Sequence, residues 1–267
     1  MGSTLSIISE AYPPKPQWTT DDIPDLTGKV MIVTGGNTGI GKETVKALLE
    51  KNAKVYLGAC NQAKAEAAIE DLRQKTGKEA MWVKLDLADL KSVKAAAEEF
   101  SSKEERLDVL FNNAGVMGPK FEDLTAQGYD LQFGTNVLET PARKKIGSFP
   151  GLYNQSKFGN VLFSNELAKR YGDQGIVSVS LNPGNLASDL PRSLPPIMAF
   201  IFKILFMYPV ELGALTQLRA GTTPQGAEMN GQYLIPWARV GKASAASENQ
   251  EESDELWKWL EEQAKGV

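Results

Sequence analysis

The chain has no histidine among its 267 residues. That absence removes imidazole proton relays, His-dependent nucleophile triads and His-ligated metal sites. Its single cysteine, Cys60, excludes an internal disulfide and fits a reducing compartment. Basic charge is not in surplus either: 29 Lys and Arg stand against 33 Asp and Glu, a formal net charge of −4. No basic stripe is on offer to neutralise phosphates, so no nucleic-acid partner is expected. Long apolar runs are also missing. The run at 197–208 is interrupted by Lys203 and is too short to cross a bilayer. The N-terminus lacks the charged stretch followed by an apolar core that a secretory signal needs. No metal site is expected. Any chemistry must therefore come from Tyr, Lys, Ser, Asn, carboxylates or a bound cofactor.

What is present is ordinary soluble composition, 42% hydrophobic and 23% charged, in a length suited to one large core. Residues 1–25, with Pro13, Pro14 and Pro16, read as an extended arm, and 26–267 as a single domain. The opening Met1-Gly2-Ser3-Thr4-Leu5-Ser6 fits the short N-myristoylation pattern. Residues 29–34, Lys-Val-Met-Ile-Val-Thr, are apolar on both faces, as in a buried parallel strand. They run into Gly35-Gly36-Asn37-Thr38-Gly39-Ile40-Gly41 and then a helix over 42–51. Glycines let the backbone turn tightly beside a ligand, and a helix N-terminus presents free N–H groups to a pyrophosphate. Strands at 54–58 and 80–85, with a helix at 62–75 between them, complete a βαβαβ half.

A second cluster lies at 153–157, Tyr-Asn-Gln-Ser-Lys, opening a helical pattern through Leu162, Glu166 and Arg170. Tyr153 and Lys157, four apart, project from one helical face. An ammonium beside a phenol stabilises the phenolate and lowers its pKa. Such a Tyr can trade a proton with a carbinol oxygen while hydride moves on the other side of the carbon.

Taken with Asn112-Asn113-Ala114-Gly115 after the strand at 107–111, these motifs resemble the short-chain dehydrogenase/reductase family, in its retinol-dehydrogenase-like branch. Thr34–Gly41 matches its Thr-Gly-x-x-x-Gly-x-Gly, Tyr153 and Lys157 its Tyr-x-x-x-Lys, and Asn182-Pro183-Gly184 the turn after its sixth strand. The resemblance covers about 26–237 and implies a Rossmann-like α/β fold with a doubly wound parallel sheet. It implies that Gly35, Asn37, Gly39, Ile40 and Gly41 line the pyrophosphate, Asp86 and Leu87 the adenine, and Asn112, Ala114 and Gly115 the ribose. Pro183, Gly184 and Ser188 are expected near the nicotinamide. Lys157 is expected to bind the nicotinamide ribose, and Asn136 to hold a water in the proton relay with Tyr153. Ala59-Cys60-Asn61 ends the second strand without the acid that favours NAD, while Cys60, where relatives carry Arg, loses the 2′-phosphate anchor, so the cofactor leans to NADP over NAD with weakened affinity.

One interval breaks the pattern. The family places a helix, a central strand and a catalytic Ser between Asn136 and Tyr153. Residues 137–152 hold Pro141, Arg143-Lys144-Lys145, Gly147, Pro150 and Gly151 and no strand-forming run. A crossover helix alone needs about ten residues, so helix plus strand cannot fit. The fifth strand and its preceding helix are therefore expected to be missing, with Ser148 the nearest stand-in for the Ser. The expected product is marginal unless the 176–181 strand moves over to pair with the fourth. Near the C-terminus, 231–236 reads as the last strand and 254–263 as an amphipathic helix with Leu256, Trp257 and Leu260 inward. The apolar stretch at 193–212 is expected to be a lid over a small lipophilic substrate. The reading is an oxidoreductase interconverting a lipophilic alcohol and an aldehyde or ketone. A catalytically dead nucleotide-binding relic or truncated splice form, and a peripheral membrane or partner-binding protein, stand as alternatives. The location is read as cytoplasmic with membrane association left open, and the oligomeric state as unknown.

Overall fold

The computed structural model of the chain describes residues 9–120, 122–137, 149–186 and 207–267. The β-branched run becomes β1 (Val30–Thr34), followed by α1 (Gly39–Glu50), β2 (Lys54–Ala59), α2 (Gln62–Thr76), β3 (Met81–Lys84), α3 (Leu90–Lys103) and β4 (Val109–Phe111). These four strands form a parallel sheet in the order β3-β2-β1-β4. Val33 sits opposite Leu57 on one side and Phe111 on the other.

Period-two alternation divides the strand residues between two helical layers. Met31, Val33, Val55 and Leu57 bury against α1 and α2 residues such as Val45, Leu48, Ala68 and Leu72. Val30, Tyr56 and Val83 face the other way, onto Ala96 and Phe100 of α3. The sheet is thus covered on both faces, the architecture expected from the sequence. Helix ends are set locally: Asn61 accepts from the Lys64 N–H to cap α2, and Gly77 stops that helix in a left-handed conformation at φ 70°.

The chain continues through α4 (Leu131–Asn136), α5 (Phe149–Tyr171), β5 (Ser180–Leu181), α6 (Val210–Thr222), β6 (Tyr233–Ile235), β7 (Arg239–Gly241) and α7 (Gln250–Ala264). Here, among the described residues, the sheet is not continuous. β5, β6 and β7 form a second sheet, with β5 and β6 parallel and β6 and β7 antiparallel. Among the described residues no ladder joins β4 to β5. The move of 176–181 onto β4 does not occur, because that segment is engaged elsewhere. Ser178 donates its N–H to the Asn230 side chain and accepts the Gly231 N–H, which commits it to β6. Leu110 on β4 and Ile176 and Val177 before β5 are left exposed, at 46%, 43% and 42%.

The described part of the arm lies against the domain. Thr19 and Asp22 cap a short 3₁₀ turn reciprocally, Ile23 and Leu26 are buried in the main core, and the Leu26 N–H donates to the Lys51 carbonyl. Trp18 packs against the same core and also against the cluster around Leu186, Leu215 and Trp237.

Candidate active site

β1 delivers the chain into the glycine turn. Gly35 and Gly39 adopt φ of +67° and +53°, a region that costs an L residue strain and a glycine nothing. Gly41 is required for a different reason: a Cβ there would collide with the Gly35 carbonyl and lie 2.5 Å from Asn113 Nδ2. The first residues of α1 then turn their N–H groups toward the loop. Thr38, the N-cap residue, makes no side-chain capping bond, so the first N–H groups of α1 are left without a side-chain cap. An uncapped helix N-terminus beside a glycine turn suits an anionic diphosphate, and the residues present fit that group.

The loop after β4 is fixed to this turn by one threonine. Buried Thr34 donates its hydroxyl to the Phe111 carbonyl at 3.2 Å and accepts the N–H groups of Asn113 at 3.0 Å and Ala114 at 2.9 Å. Asn113 Nδ2 donates back to the Thr34 carbonyl at 2.9 Å. Sequence reasoning assigned Asn112, Ala114 and Gly115 to a ligand and passed over Asn113. Its role is to lock the two loops together, and the repeated Asn in the motif was the available signal.

Asn136, at the end of α4, clamps the far side of the same loop. Its Oδ1 accepts the Val116 N–H at 2.9 Å, and its Nδ2 donates to the Val116 carbonyl and to Ser156 Oγ, each at 3.1 Å. The amide expected in the relay is thus occupied in holding the 113–116 loop against α5. Ser156, fully buried, donates to the Tyr153 carbonyl at 2.9 Å.

Tyr153 and Lys157 lie in the first part of α5, and the Lys157 amine sits 5.6 Å from the Tyr153 ring centroid. Glycine at 115 makes room chiefly for the Asn136 amide: a Cβ there would lie 3.0 Å from Asn136 Oδ1, and 3.4 Å from Lys157 Nζ, an ordinary contact. Burial pushes the Tyr153 phenol above its ordinary value and the Lys157 amine below its own. This differs in sign from the expected lowering of the phenol. Both groups are taken out of water, so each is driven toward its neutral form, and the amine stands over the ring face.

Asp86 Oδ1 accepts the Ala88 N–H at 2.9 Å, a local contact within the 86–88 turn that follows β3. Beyond β5, Asn182 Oδ1 accepts the Gly184 N–H at 2.9 Å and holds Gly184 at φ +88°. A Cβ on Gly184 would lie 2.8 Å from the Trp237 ring. Ile40, from the glycine turn, packs into the same cluster as Leu186 and Trp237, so this turn is near the start of α1. The structure therefore brings Gly35–Gly41, Asn112–Gly115, Asn136, Tyr153 and Lys157 to one end of the first sheet, with Pro183 and Gly184 on the second sheet. Ser148, Ser188 and residues 193–206 of the expected lid lie outside the described residues. Its described end packs as core, with the Tyr208 ring edge-on to Trp237 at 5.1 Å.

The model for "short chain dehydrogenase" matches residues 29–140. A short-chain dehydrogenase/reductase of Armillaria gallica is 50% identical, covering 99% of this chain and 99% of the relative. The chain belongs to the short-chain dehydrogenase/reductase family. A second member, from Phomopsis amygdali, is 37% identical over 96% of each chain. The Armillaria alignment runs over 310 positions, more than the 267 residues here, so that dehydrogenase carries residues with no counterpart in this one. Among solved structures, a Mycobacterium paratuberculosis protein shares the fold at a TM-score of 0.71 and 23% identity, covering 93% of this chain and 97% of its own. A short-chain dehydrogenase from Burkholderia cenocepacia, solved in complex with NADP, shares it at 0.64 and 23% identity, covering 80% of this chain and 98% of its own. As a family member, this dehydrogenase is an oxidoreductase by kinship. Among the described residues no helix is long and apolar enough to cross a membrane, and no cluster of His, Cys, Asp or Glu is arranged to hold a metal.

Proposed function

We propose that this dehydrogenase uses NAD(P), with NADP favoured, to interconvert a lipophilic alcohol and its aldehyde or ketone, as a member of the retinol-dehydrogenase-like branch. The observation that carries the reading is the Lys157 amine standing 5.6 Å from the Tyr153 ring centroid, beside the loop after β4. The uncapped start of α1 with Gly35, Asn37, Gly39, Ile40 and Gly41 would hold the diphosphate. Asp86 and Leu87 would flank the adenine, and Asn112, Ala114 and Gly115 the ribose. The nicotinamide supplies or accepts the hydride. In the oxidative direction the substrate hydroxyl gives its proton to the Tyr153 oxygen as hydride leaves the same carbon; in reduction Tyr153 returns it. Lys157 would hold the ribose hydroxyls and, when protonated, offsets part of the burial that raises the phenol. Pro183 and Gly184 would bound the nicotinamide.

NADP is favoured because β2 ends without a carboxylate: Ala59 is followed by exposed Cys60 and by Asn61, whose side chain is spent on capping α2. The NADP complex of the Burkholderia relative is in keeping with this. The lipophilic substrate rests on the apolar stretch at 193–212, whose described end joins Tyr208, Val210 and Leu212 to the Trp237 cluster.

A second reading has its own observation. The break between β4 and β5, with the surplus positions of the Armillaria relative, supports loss of the fifth strand, its helix and the catalytic Ser they carry. Loss of one donor to the carbonyl oxygen costs about 100- to 1,000-fold in rate. On this reading the protein binds dinucleotide and turns over slowly or not at all.

Titrating NADPH by its fluorescence and following its oxidation with a long-chain aldehyde tests both. Turnover that Tyr153→Phe reduces by about 100-fold or more, with NADPH affinity kept, is the result expected of the enzyme. Binding without turnover supports the second reading. A Tyr153→Phe protein as active as the parent would overturn the assignment of Tyr153.

A further inference from the structure

The segment that precedes the domain is tied to the turn at the end of β5 by two routes. In the first, Glu10 Oε2 accepts a hydrogen bond from Asn182 Nδ2 at 2.9 Å. The other end of the same amide, Asn182 Oδ1, accepts the Gly184 N–H at 2.9 Å. One side chain thus couples a carboxylate on the arm to a glycine held at φ +88°. In the second route Arg239 reaches the arm from the start of β7. Its guanidinium donates to Ser9 Oγ at 3.0 Å and to the Ser9 carbonyl at 2.9 Å, while its Nε donates to the Pro236 carbonyl at 2.6 Å. Pro236 leads into Trp237, whose ring presses on Gly184. Both routes end at the same turn.

The arm does not stop there. Trp18 packs against the cluster that contains Ile40, in the first turn of α1, together with Leu186 and Trp237. A single stretch of chain therefore touches both the Gly184 turn and the start of α1. These are the two places that the proposed function assigns to the nicotinamide and the diphosphate.

We infer that the N-terminal arm is a positioning element of the nicotinamide end of the cleft, with Glu10 and Arg239 fixing the Asn182–Gly184 turn, so that arm docking and dinucleotide binding favour each other. The inference rests on the dinucleotide reading above. Reciprocity follows from linkage: a ligand that needs the turn in one arrangement stabilises whatever else holds it there. Asn182 is well suited to this, since fixing its amide toward Glu10 leaves its oxygen aimed at the Gly184 N–H.

The test compares two ligands on the full chain. NADPH carries the nicotinamide, and 2′-phospho-ADP-ribose lacks it. Glu10→Ala and Arg239→Gln are expected to weaken NADPH binding by about 3- to 10-fold each, the net worth of the hydrogen bonds removed. Both variants are expected to leave 2′-phospho-ADP-ribose affinity within about twofold, because the diphosphate end is untouched. Glu10→Gln, which still offers an acceptor oxygen to Asn182, is expected to recover most of the NADPH affinity. Equal weakening of both ligands would overturn the inference, since it would mark general loss of structure. Unchanged NADPH affinity in Glu10→Ala would overturn it too. If the parent chain binds neither ligand, the dinucleotide reading itself fails; if it binds both and the variants are silent, only the role of the arm fails.

Discussion

Thr34→Val isolates the hydrogen bonds that lock the glycine turn to the loop after β4. Valine keeps the shape of threonine, so the cavity contribution is small and the change reduces to one missing hydroxyl. That hydroxyl serves three backbone groups, the Phe111 carbonyl and the N–H groups of Asn113 and Ala114, and Thr34 itself is 4% exposed. A buried polar group stripped of its partner costs about 1 to 3 kcal/mol. The Asn113 N–H keeps its bond to the Phe111 carbonyl at 2.8 Å, so of the two N–H groups it is Ala114's that loses its acceptor, in a partly exposed loop where water can reach it and the lower half of that range applies. The carbonyl can keep a second acceptor interaction. The expected loss is about 1 to 2 kcal/mol, a measurable share of the roughly 5 to 15 kcal/mol that a domain has in total. Urea unfolding should show a lower midpoint with an unchanged slope. Thr222→Val is the control, because the Thr222 hydroxyl only donates to the Leu218 carbonyl one turn back in α6. Its loss is expected to cost under about 1 kcal/mol. A Thr34→Val cost below about 0.5 kcal/mol, or one equal to the control, would refute the account of how these loops are held.

Three further expectations come from the same geometry. Gly184→Ala places a Cβ 2.8 Å from the Trp237 ring in a left-handed residue, so both stability and NADPH affinity should fall, the strain alone amounting to about 1 to 3 kcal/mol; thermal unfolding and NADPH titration measure the two. Glu166 is 2% exposed and accepts from Arg170 Nε at 2.7 Å and Gln250 Nε2 at 2.6 Å, which ties α5 to the start of α7. Glu166→Ala should therefore lower unfolding stability by about 1 to 3 kcal/mol by leaving those donors unpaired, and a variant as stable as the parent in urea would count against it. Burial holds the Tyr153 phenol above its ordinary value of 10.0, so the active phenolate is scarce at neutral pH. Alcohol oxidation, which needs the phenolate, should keep rising with pH up to and beyond that value, whereas carbonyl reduction, which needs the phenol, should stay flat until it begins to fall there. An oxidation profile that levels off well below the ordinary phenol value would show that Lys157 outweighs burial.

The first half of the fold was legible because its signals are local. β1 is a run of β-branched residues, its turn is written in glycines that take positive φ, and α2 starts at a capping Asn and stops at a left-handed Gly77. The pairing of Tyr153 with Lys157 was legible for the same reason, being a matter of helical spacing. What escaped depends on partners. The run at 176–181 has the composition of a six-residue strand, but only Ser180–Leu181 forms one, because its partner β6 is itself only Tyr233–Ile235 and Ser178 is taken by Asn230 and Gly231. β7 spans Arg239–Gly241, too short and too polar to register as a strand until β6 is placed beside it. The sense of the Tyr153 shift could not be read from spacing, since it depends on how deeply α5 buries both side chains. The work of Asn113, Asn136 and Glu10 likewise depends on contacts between segments far apart in sequence.

The indole of Trp237 lies flush against the Gly184 backbone, and Trp18 stands in the same cluster beside Ile40. Emission from these rings responds to small changes in packing, so the molecule carries its own optical probe at the junction between its two sheets. Rearrangement of that junction becomes visible in unlabelled protein, on whatever timescale the spectrometer resolves.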